Sequence, residues 1–378
     1  MFTILCLQEF QVVGKILIFY GSKDEFEKSV PIAHRNLTDL VYEADKESKI
    51  FTISIGDQKQ QHEEKKIEVK NFVATSDEYA GVREHVIINF VNFLAKFDIE
   101  NLYLHNPPLQ ISNQIKQLFP NADVKYQKYA PLTIDNLKTL NEKYDSQIIG
   151  QSKVKAELLQ ALFPLTLENR RKPVVLLFYG SSGIGKTETA KYLADLVNEE
   201  LFRKQFSMFQ NVQFSTYLFG GAHYEKSFAK DLLDRKSNVI LLDEFDKAHS
   251  SFHSAFYQLF DEGVFEDQNY FLTLDRSVII CTSNYSSLKE IEEQLGSAIY
   301  NRFDSLIKFS DLSSESKTII GNTFYNQLKT DYGFDLPIEE LESLQHSFVK
   351  FDNARQIKRI VEQTFALFSI KSAITKPE

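Results

Sequence analysis

Three uninterrupted apolar runs dominate the middle of the chain: Pro173–Tyr179, Asn238–Leu242 and Ser277–Cys281. Short apolar runs bounded by polar or turn residues read as strands buried on both faces, as in a parallel sheet covered by helices. Behind the first run, Ala190, Leu193, Leu196 and Val197 recur at helical spacing. The first third of the chain alternates. Phe2–Leu7, Lys15–Tyr20, Lys49–Ile55 and Ile67–Ala74 read as strands. Val82, Val86, Phe90, Phe93 and Leu94 predict a helix over 78–96. A strand over Asn101–His105, a helix over Leu109–Phe119 and a strand over Asp123–Tyr129 follow, and the polar stretch Asp57–Lys66 reads as a solvated loop. From about 312 the pattern is helical, with Pro337 after a Gly-Phe-Asp turn.

This reading divides the chain into an N-terminal α/β domain (1–130), a connector (131–147), a parallel-sheet α/β domain (148–310) and a C-terminal α-helical lid (311–378). The opening MFTILCLQEF has no basic flank and no small-residue cleavage site, so it reads as a first strand and not as a leader. Asn106-Pro107-Pro108 is similar to the Asn-Pro-Pro-aromatic turn of amino-methyltransferases, but its fourth position is Leu109. A strand stopped by proline accounts for it.

Composition narrows the function. The chain has 378 residues, 43% of them hydrophobic, and a net charge of −9 from 43 Lys and Arg against 52 Asp and Glu. A protein that held nucleic acid mainly by neutralising phosphates would carry the opposite excess, so nucleic acid is not an expected partner. The run Arg170-Arg171-Lys172 reads as a solvated face. Cys6 and Cys281 are the only cysteines. They form neither a disulfide framework nor a Cys-rich zinc site, and a reducing cytoplasm is the natural compartment. No apolar window is long enough to span a bilayer, so no membrane role is expected.

Candidate chemistry lies at the ends of the three apolar runs. The first leads into Gly180-Ser181-Ser182-Gly183-Ile184-Gly185-Lys186-Thr187, which fits G-x-x-x-x-G-K-[ST], and then into Glu188 and a helix. Glycines let backbone N–H groups approach phosphate oxygens, and the helix N-terminus adds its dipole. Lys186 would reach the β- and γ-phosphates of ATP, and the Thr187 hydroxyl would ligate Mg2+. The second run ends in Asp243-Glu244, placing Asp243 as a metal ligand and Glu244 as the group that polarises the attacking water. The third ends at Asn284, a candidate for the γ-phosphate or the lytic water, while Cys281 inside it reads as packing.

From about 148 to 370 the chain resembles the AAA+ ATPases of the Clp chaperone group, most closely their second ring module. Ile148-Ile149-Gly150-Gln151 is similar to the block that contacts adenine. Leu241-Leu-Asp-Glu-Phe-Asp-Lys-Ala-His249 is similar to the extended Walker B block, and Leu259-Phe-Asp-Glu-Gly263 with Thr273 to Asn284 to the stretch leading into sensor 1. Ala298-Ile-Tyr-Asn-Arg-Phe-Asp304 resembles the arginine-finger segment, and Asn353-Ala-Arg-Gln-Ile-Lys-Arg359 the sensor 2 block. The resemblance implies a P-loop AAA+ sheet flanked by helices, ATP and Mg2+ as ligands, and a homo-oligomer, six subunits being the family expectation. It also implies that Arg302 acts on a neighbour's nucleotide and Arg355 on its own.

The pattern departs from the family in three places. Where threading chaperones carry a Gly-aromatic-Val-Gly loop, this chain reads Phe219-Gly-Gly-Ala-His-Tyr-Glu225, leaving Tyr224 or Phe219 to grip polypeptide if anything does. The tripeptide that docks the Clp peptidase is reduced to Leu295-Gly296-Ser297, so that partner is not expected. Only one AAA+ module is present, and the N-terminal region resembles no adaptor-binding domain. Two readings follow. One is an ATP-driven remodeller of an unidentified protein partner. The other is a nucleotide-controlled switch or assembly platform that signals or recruits through its N-terminal domain.

Overall fold

The computed structural model describes residue 12 and residues 14–53, 66–208 and 212–375. In chain order its strands are β1 (Ile16–Tyr20), β2 (Arg35–Asn36), β3 (Ile67–Ala74), β4 (Phe97–His105), β5 (Asp123–Tyr126), β6 (Val174–Tyr179), β7 (Phe202–Gln205), β8 (Val239–Asp243), β9 (Val264–Glu266), β10 (Phe271–Thr273), β11 (Val278–Thr282) and β12 (Ser305–Lys308). The chain forms two compact units. The first comprises Met1–Tyr129 together with Asn211–Lys236 and Val264–Thr273, and the second holds the remainder. The units therefore do not follow a single linear cut: two segments from the second half of the sequence belong to the N-terminal unit.

The first unit is built on a parallel five-stranded sheet in the order β2-β3-β4-β1-β5. Parallel strands need crossover connections, and helices supply them. The strand reading holds for Lys15–Tyr20 and Ile67–Ala74, and β4 begins earlier than expected, at Phe97. Leu17, Phe19, Phe26, Val73 and Tyr103 pack into one apolar cluster.

Two expectations are corrected here. The helix predicted over 78–96 is three short ones, Ser76–Gly81, Glu84–Ile88 and Phe90–Leu94. Gly81 weakens the first, Val82 is extended, and Asn89 leaves helical geometry at φ −116°, ψ 40°. The strand expected over Lys49–Ile55 is helical as far as Ile53, because the helix Leu37–Ile53 propagates through it. Extending an existing helix costs far less than nucleating one, and β-propensity is the weaker prior. The connector region 131–147 is largely helical. Thr133 and Asn136 form a reciprocal capping box that starts the helix Ile134–Gln147, whose Leu137, Leu140 and Tyr144 are buried. Phe2–Leu7 and nearly all of Asp57–Lys66 lie outside the described residues.

The second unit carries a parallel sheet in the order β12-β6-β11-β8-β7. Every residue of β6, β8 and β11 is buried, as their uninterrupted apolar runs predict. The helices Ser314–Tyr332, Ile338–Ser347 and Ala354–Thr375 form the C-terminal helical region. Its Phe348, Ile357, Val361 and Phe365 belong to the same apolar cluster as Leu176, Leu241 and Ile280 of the sheet. The fold is thus α/β, with helices flanking parallel sheets and a helical region at the C-terminus.

Candidate functional site

The loop after β6 forces its own shape. Gly180 sits at φ +131°, and a Cβ there would lie 2.4 Å from the Phe309 carbonyl oxygen, so no other residue fits without displacing backbone. Gly185 at φ +112° turns the chain directly into the helix Lys186–Leu196, whose N-terminal N–H groups face the loop. Gln151, almost fully buried, ties the loop down. Its amide donates to the Ile184 and Ser310 carbonyls at 3.0 and 2.7 Å, and its Oε1 accepts from Ser310 N–H.

Lys186 is 8% exposed. Its ammonium donates to the Gly180 and Ser181 carbonyls at 2.5 and 2.8 Å and to Asn284 Oδ1 at 3.3 Å. All three partners are neutral oxygens. Burial pulls the ammonium down to about 8, against the opposing pull of Asp246 and Asp243 and with a further lowering from Arg355. A buried cation whose described hydrogen bonds run to neutral oxygens is a site that gains from an incoming anion. Gly180 and Ser181 serve the lysine and do not line the cavity, whereas Ser182, Gly183, Ile184, Gly185, Thr187 and Glu188 do.

β8 delivers the two carboxylates. Asp243 accepts from the Thr282 hydroxyl and from Arg203, whose Nε lies 3.0 Å from Asp243 Oδ2. The same Thr282 oxygen accepts the Glu244 N–H at 2.9 Å, so one side chain of β11 registers both acids. Glu244 is in the left-handed region at φ 56°, ψ 44°, an uncommon place for a glutamate and one that turns its side chain out of strand geometry. Hydrogen bonds from Ser207 and then Gln205 hold its carboxyl below the usual range. The Gln205 amide donates at 3.0 Å.

These groups surround one cavity of about 620 Å³. Ile148 and Ile149, Lys186, Asp243, Glu244, Asn284 and Arg355 all line it. Arg355 also approaches the Ser182 hydroxyl at 3.4 Å, and the neighbouring Ala354 N–H donates to the Gly183 carbonyl. Arg302 does not line it. Its Nε donates to Asp261 at 2.9 Å, its Nη1 to the Ala298 carbonyl at 2.6 Å, and its guanidinium lies 4.2 Å above the Tyr257 ring. Cys281 is buried, and burial raises its thiol well above the ordinary value, so it is packing and not chemistry.

The residues fit a nucleotide triphosphate with a divalent cation. The buried Lys186 ammonium, whose described hydrogen bonds run to neutral oxygens, faces the phosphate loop, Thr187 and Asp243 offer oxygen ligands at the same cavity, and the buried Ser283 hydroxyl lining it has no partner among the described residues. Sequence reasoning missed Arg203, Gln205 and Thr282. Arg203 and Gln205 alternate along a short, mixed-polarity edge strand whose only signal is its position just ahead of the second apolar run. Leu295-Gly296 is the C-terminal end of the helix Leu288–Leu295, with Gly296 at φ 80°.

Comparison with known proteins finds relatives for part of the chain. Residues 171–329 match the family model for the AAA domain (Cdc48 subfamily). The chain is 26% identical over 275 residues to the Chaperone protein ClpB of Malacoplasma penetrans, covering 64% of this chain and 38% of that protein. It is 26% identical over 261 residues to the ATP-dependent Clp protease ATP-binding subunit ClpL of Staphylococcus aureus strain RF122, covering 61% and 37%. To the AAA+ ATPase ClpV1 of Pseudomonas aeruginosa it is 30% identical over 164 residues, covering 40% and 18%. The chain thus spans less than two fifths of the length of these relatives. Among the described residues no helix is long and apolar enough to cross a membrane.

Proposed function

We propose that this chain, whose residues 171–329 match the AAA domain model, is a Clp-group AAA+ ATPase that hydrolyses ATP in a self-associated form and uses the cycle to act on a protein partner. One observation carries the reading: Lys186, Asp243, Glu244, Asn284 and Arg355, spread over 170 positions of sequence, border a single cavity behind a glycine-forced phosphate loop. Lys186 and the N-terminus of its helix bind the phosphates, Ile148 and Ile149 bracket the base, and Glu244 orients and polarises water. Asn284 and Arg355 complete the γ-phosphate end. Thr187 and Asp243 would hold Mg2+, which when bound neutralises phosphate charge.

Arg302 supports a shared site. It is tied to Asp261 and Tyr257 and away from its own cavity, as a residue serving the neighbour's nucleotide would be. A surface that inserts an arginine next door is heterologous, so its repetition closes into a ring or continues as a spiral, and a homo-hexamer is the form the Clp group suggests. The compartment proposed is the cytoplasm.

The tests separate binding, chemistry and assembly. Lys186→Ala should abolish tight ATP binding, and Glu244→Gln should keep binding but stop turnover. Arg302→Ala should retain nucleotide yet lower turnover by roughly 10³-fold or more, the span of an arginine finger. Intact turnover in an associated Arg302→Ala protein refutes the shared site. A second reading, a nucleotide-controlled switch that signals through the N-terminal unit, is favoured by one observation: the segment where a gripping loop would lie is bonded into that unit.

A further inference from the structure

Open parallel α/β sheets bind their ligands outside the carboxyl ends of the strands. In the first unit that edge is covered by the chain's own residues 212–236. After β1, the Lys23 N–H donates to Asp234 at 2.9 Å and Asp24 pairs with Lys236 at 2.5 Å. Beyond β3, Asp77 faces Lys230 at 3.8 Å. Past β5, the Tyr129 hydroxyl donates to the Arg235 carbonyl at 3.1 Å, and the Arg235 guanidinium lies 4.2 Å above the Tyr129 ring. His223, only 8% exposed, holds the Val82 carbonyl at 2.9 Å.

The β9–β10 turn fastens the same segment after β4. Its Asn269 accepts the Leu109 N–H at 2.7 Å and donates to the Gly221 carbonyl at 2.8 Å, and Gln268 N–H donates to the Phe219 carbonyl. The aromatic position of a would-be gripping loop is therefore set in a segment bonded on both sides of it, although the Tyr224 ring itself is exposed.

In sequence this segment is flanked on both sides by residues of the candidate site. Arg203, Gln205 and Ser207, which hold Asp243 and Glu244, lie just before it, and Asp243 and Glu244 close the strand that follows it. We propose that residues 212–236 are a transmission arm and not a polypeptide-gripping loop: they occupy the carboxyl edge of the N-terminal sheet and carry the nucleotide state of the Asp243–Glu244 strand into it. This deepens the switch reading and rests on the second unit binding ATP. Coupling requires that the two nucleotide states differ in contact energy at the arm, and a difference of the usual size corresponds to about fivefold or more in local opening.

The test is hydrogen–deuterium exchange on the full chain carrying Glu244→Gln, with and without Mg·ATP. The arm predicts that ATP changes exchange at the 183–187 amides and also, by about fivefold or more, at Ser22–Asp24. Adding Asp234→Ala should keep the first change and remove the second, and Asp234→Asn, which retains the acceptor oxygen, should restore it. Tyr129→Phe, the loss of one hydroxyl, gives a gentler weakening in case the alanine variant does not fold. A response at 183–187 with none at Ser22–Asp24 overturns the arm alone. No response at 183–187 overturns the nucleotide reading and the arm with it. Fluorescein-labelled casein gives the opposing probe: ATP-dependent capture that Tyr224→Ala lowers about fivefold or more would make the segment a gripping loop after all.

Discussion

Lys186 makes nucleotide affinity depend on pH in a way that follows from its burial. Burial pulls its ammonium down to about 8 from an ordinary 10.5. At pH 7 about ten elevenths of the sites then carry the charge, and at pH 9 about one eleventh do. Bound phosphates hold the proton on, so the association constant for ATP should fall about tenfold from pH 7 to pH 9, roughly 1.4 kcal/mol. Binding near pH 8 should also take up a fraction of a proton.

Titration calorimetry at each pH, in two buffers of different ionisation enthalpy, reads both quantities. Lys186→Ala should bind weakly and without slope. The fold's own stability runs the other way. The unfolded lysine keeps 10.5 while the folded one titrates near 8, so the unfolded chain binds more protons between these values. Stability without nucleotide should therefore rise as pH climbs through that window. A flat wild-type affinity profile, or the same slope in Lys186→Ala, refutes the reasoning.

Two further outcomes are expected. Ser207→Ala and Gln205→Ala each remove a hydrogen bond that holds the Glu244 carboxyl low, so the acid limb of the ATPase pH profile should move to higher pH in each, with nucleotide affinity unchanged. Gly321→Ala places a methyl within 2.2 Å of the Phe348 ring, which is fully buried. Overpacking of this kind costs about 1–3 kcal/mol, so thermal unfolding followed by circular dichroism should begin several degrees lower, and an unchanged midpoint would mean that Phe348 does not pack against the helix Ser314–Tyr332 as described.

The parts of the site legible in sequence are those where one physical demand left no choice of residue. A strand buried on both faces must be apolar throughout, so β6, β8 and β11 announced themselves, and the polar residues that end them had to be where the chemistry is. The phosphate loop needs glycines for backbone reasons alone. Arg203 and Gln205 escaped because an edge strand such as β7 satisfies weaker demands. One side of it is unpaired, its residues are only partly buried, and Phe202–Gln205 has the composition of a loop. Local preference misled at Lys49–Ile53, where β-branched and aromatic residues sit in a helix begun at Leu37.

Hardest to foresee was the allegiance of residues 211–236. Their apolar positions, Phe214, Tyr217, Leu218, Phe228, Leu232 and Leu233, are as buried as any core residues, and nothing in their periodicity says which core. Order along the chain assigns them to the ATPase half; their hydrogen bonds run to Lys23, Val82 and Tyr129. That difference bears on function. In a loop free at its tip, Tyr224 could move with the nucleotide cycle at little cost. Here moving it means breaking contacts of the N-terminal sheet edge, and in sequence the segment is flanked by Arg203 and Gln205, which hold Asp243 and Glu244, on one side and by those two acids on the other. A segment held this way can follow the site only if the edge it holds follows too, because a ligand shifts an equilibrium by no more than its differential affinity for the two states. If residues 212–236 transmit the nucleotide state as proposed, the N-terminal unit is the element on which the nucleotide acts.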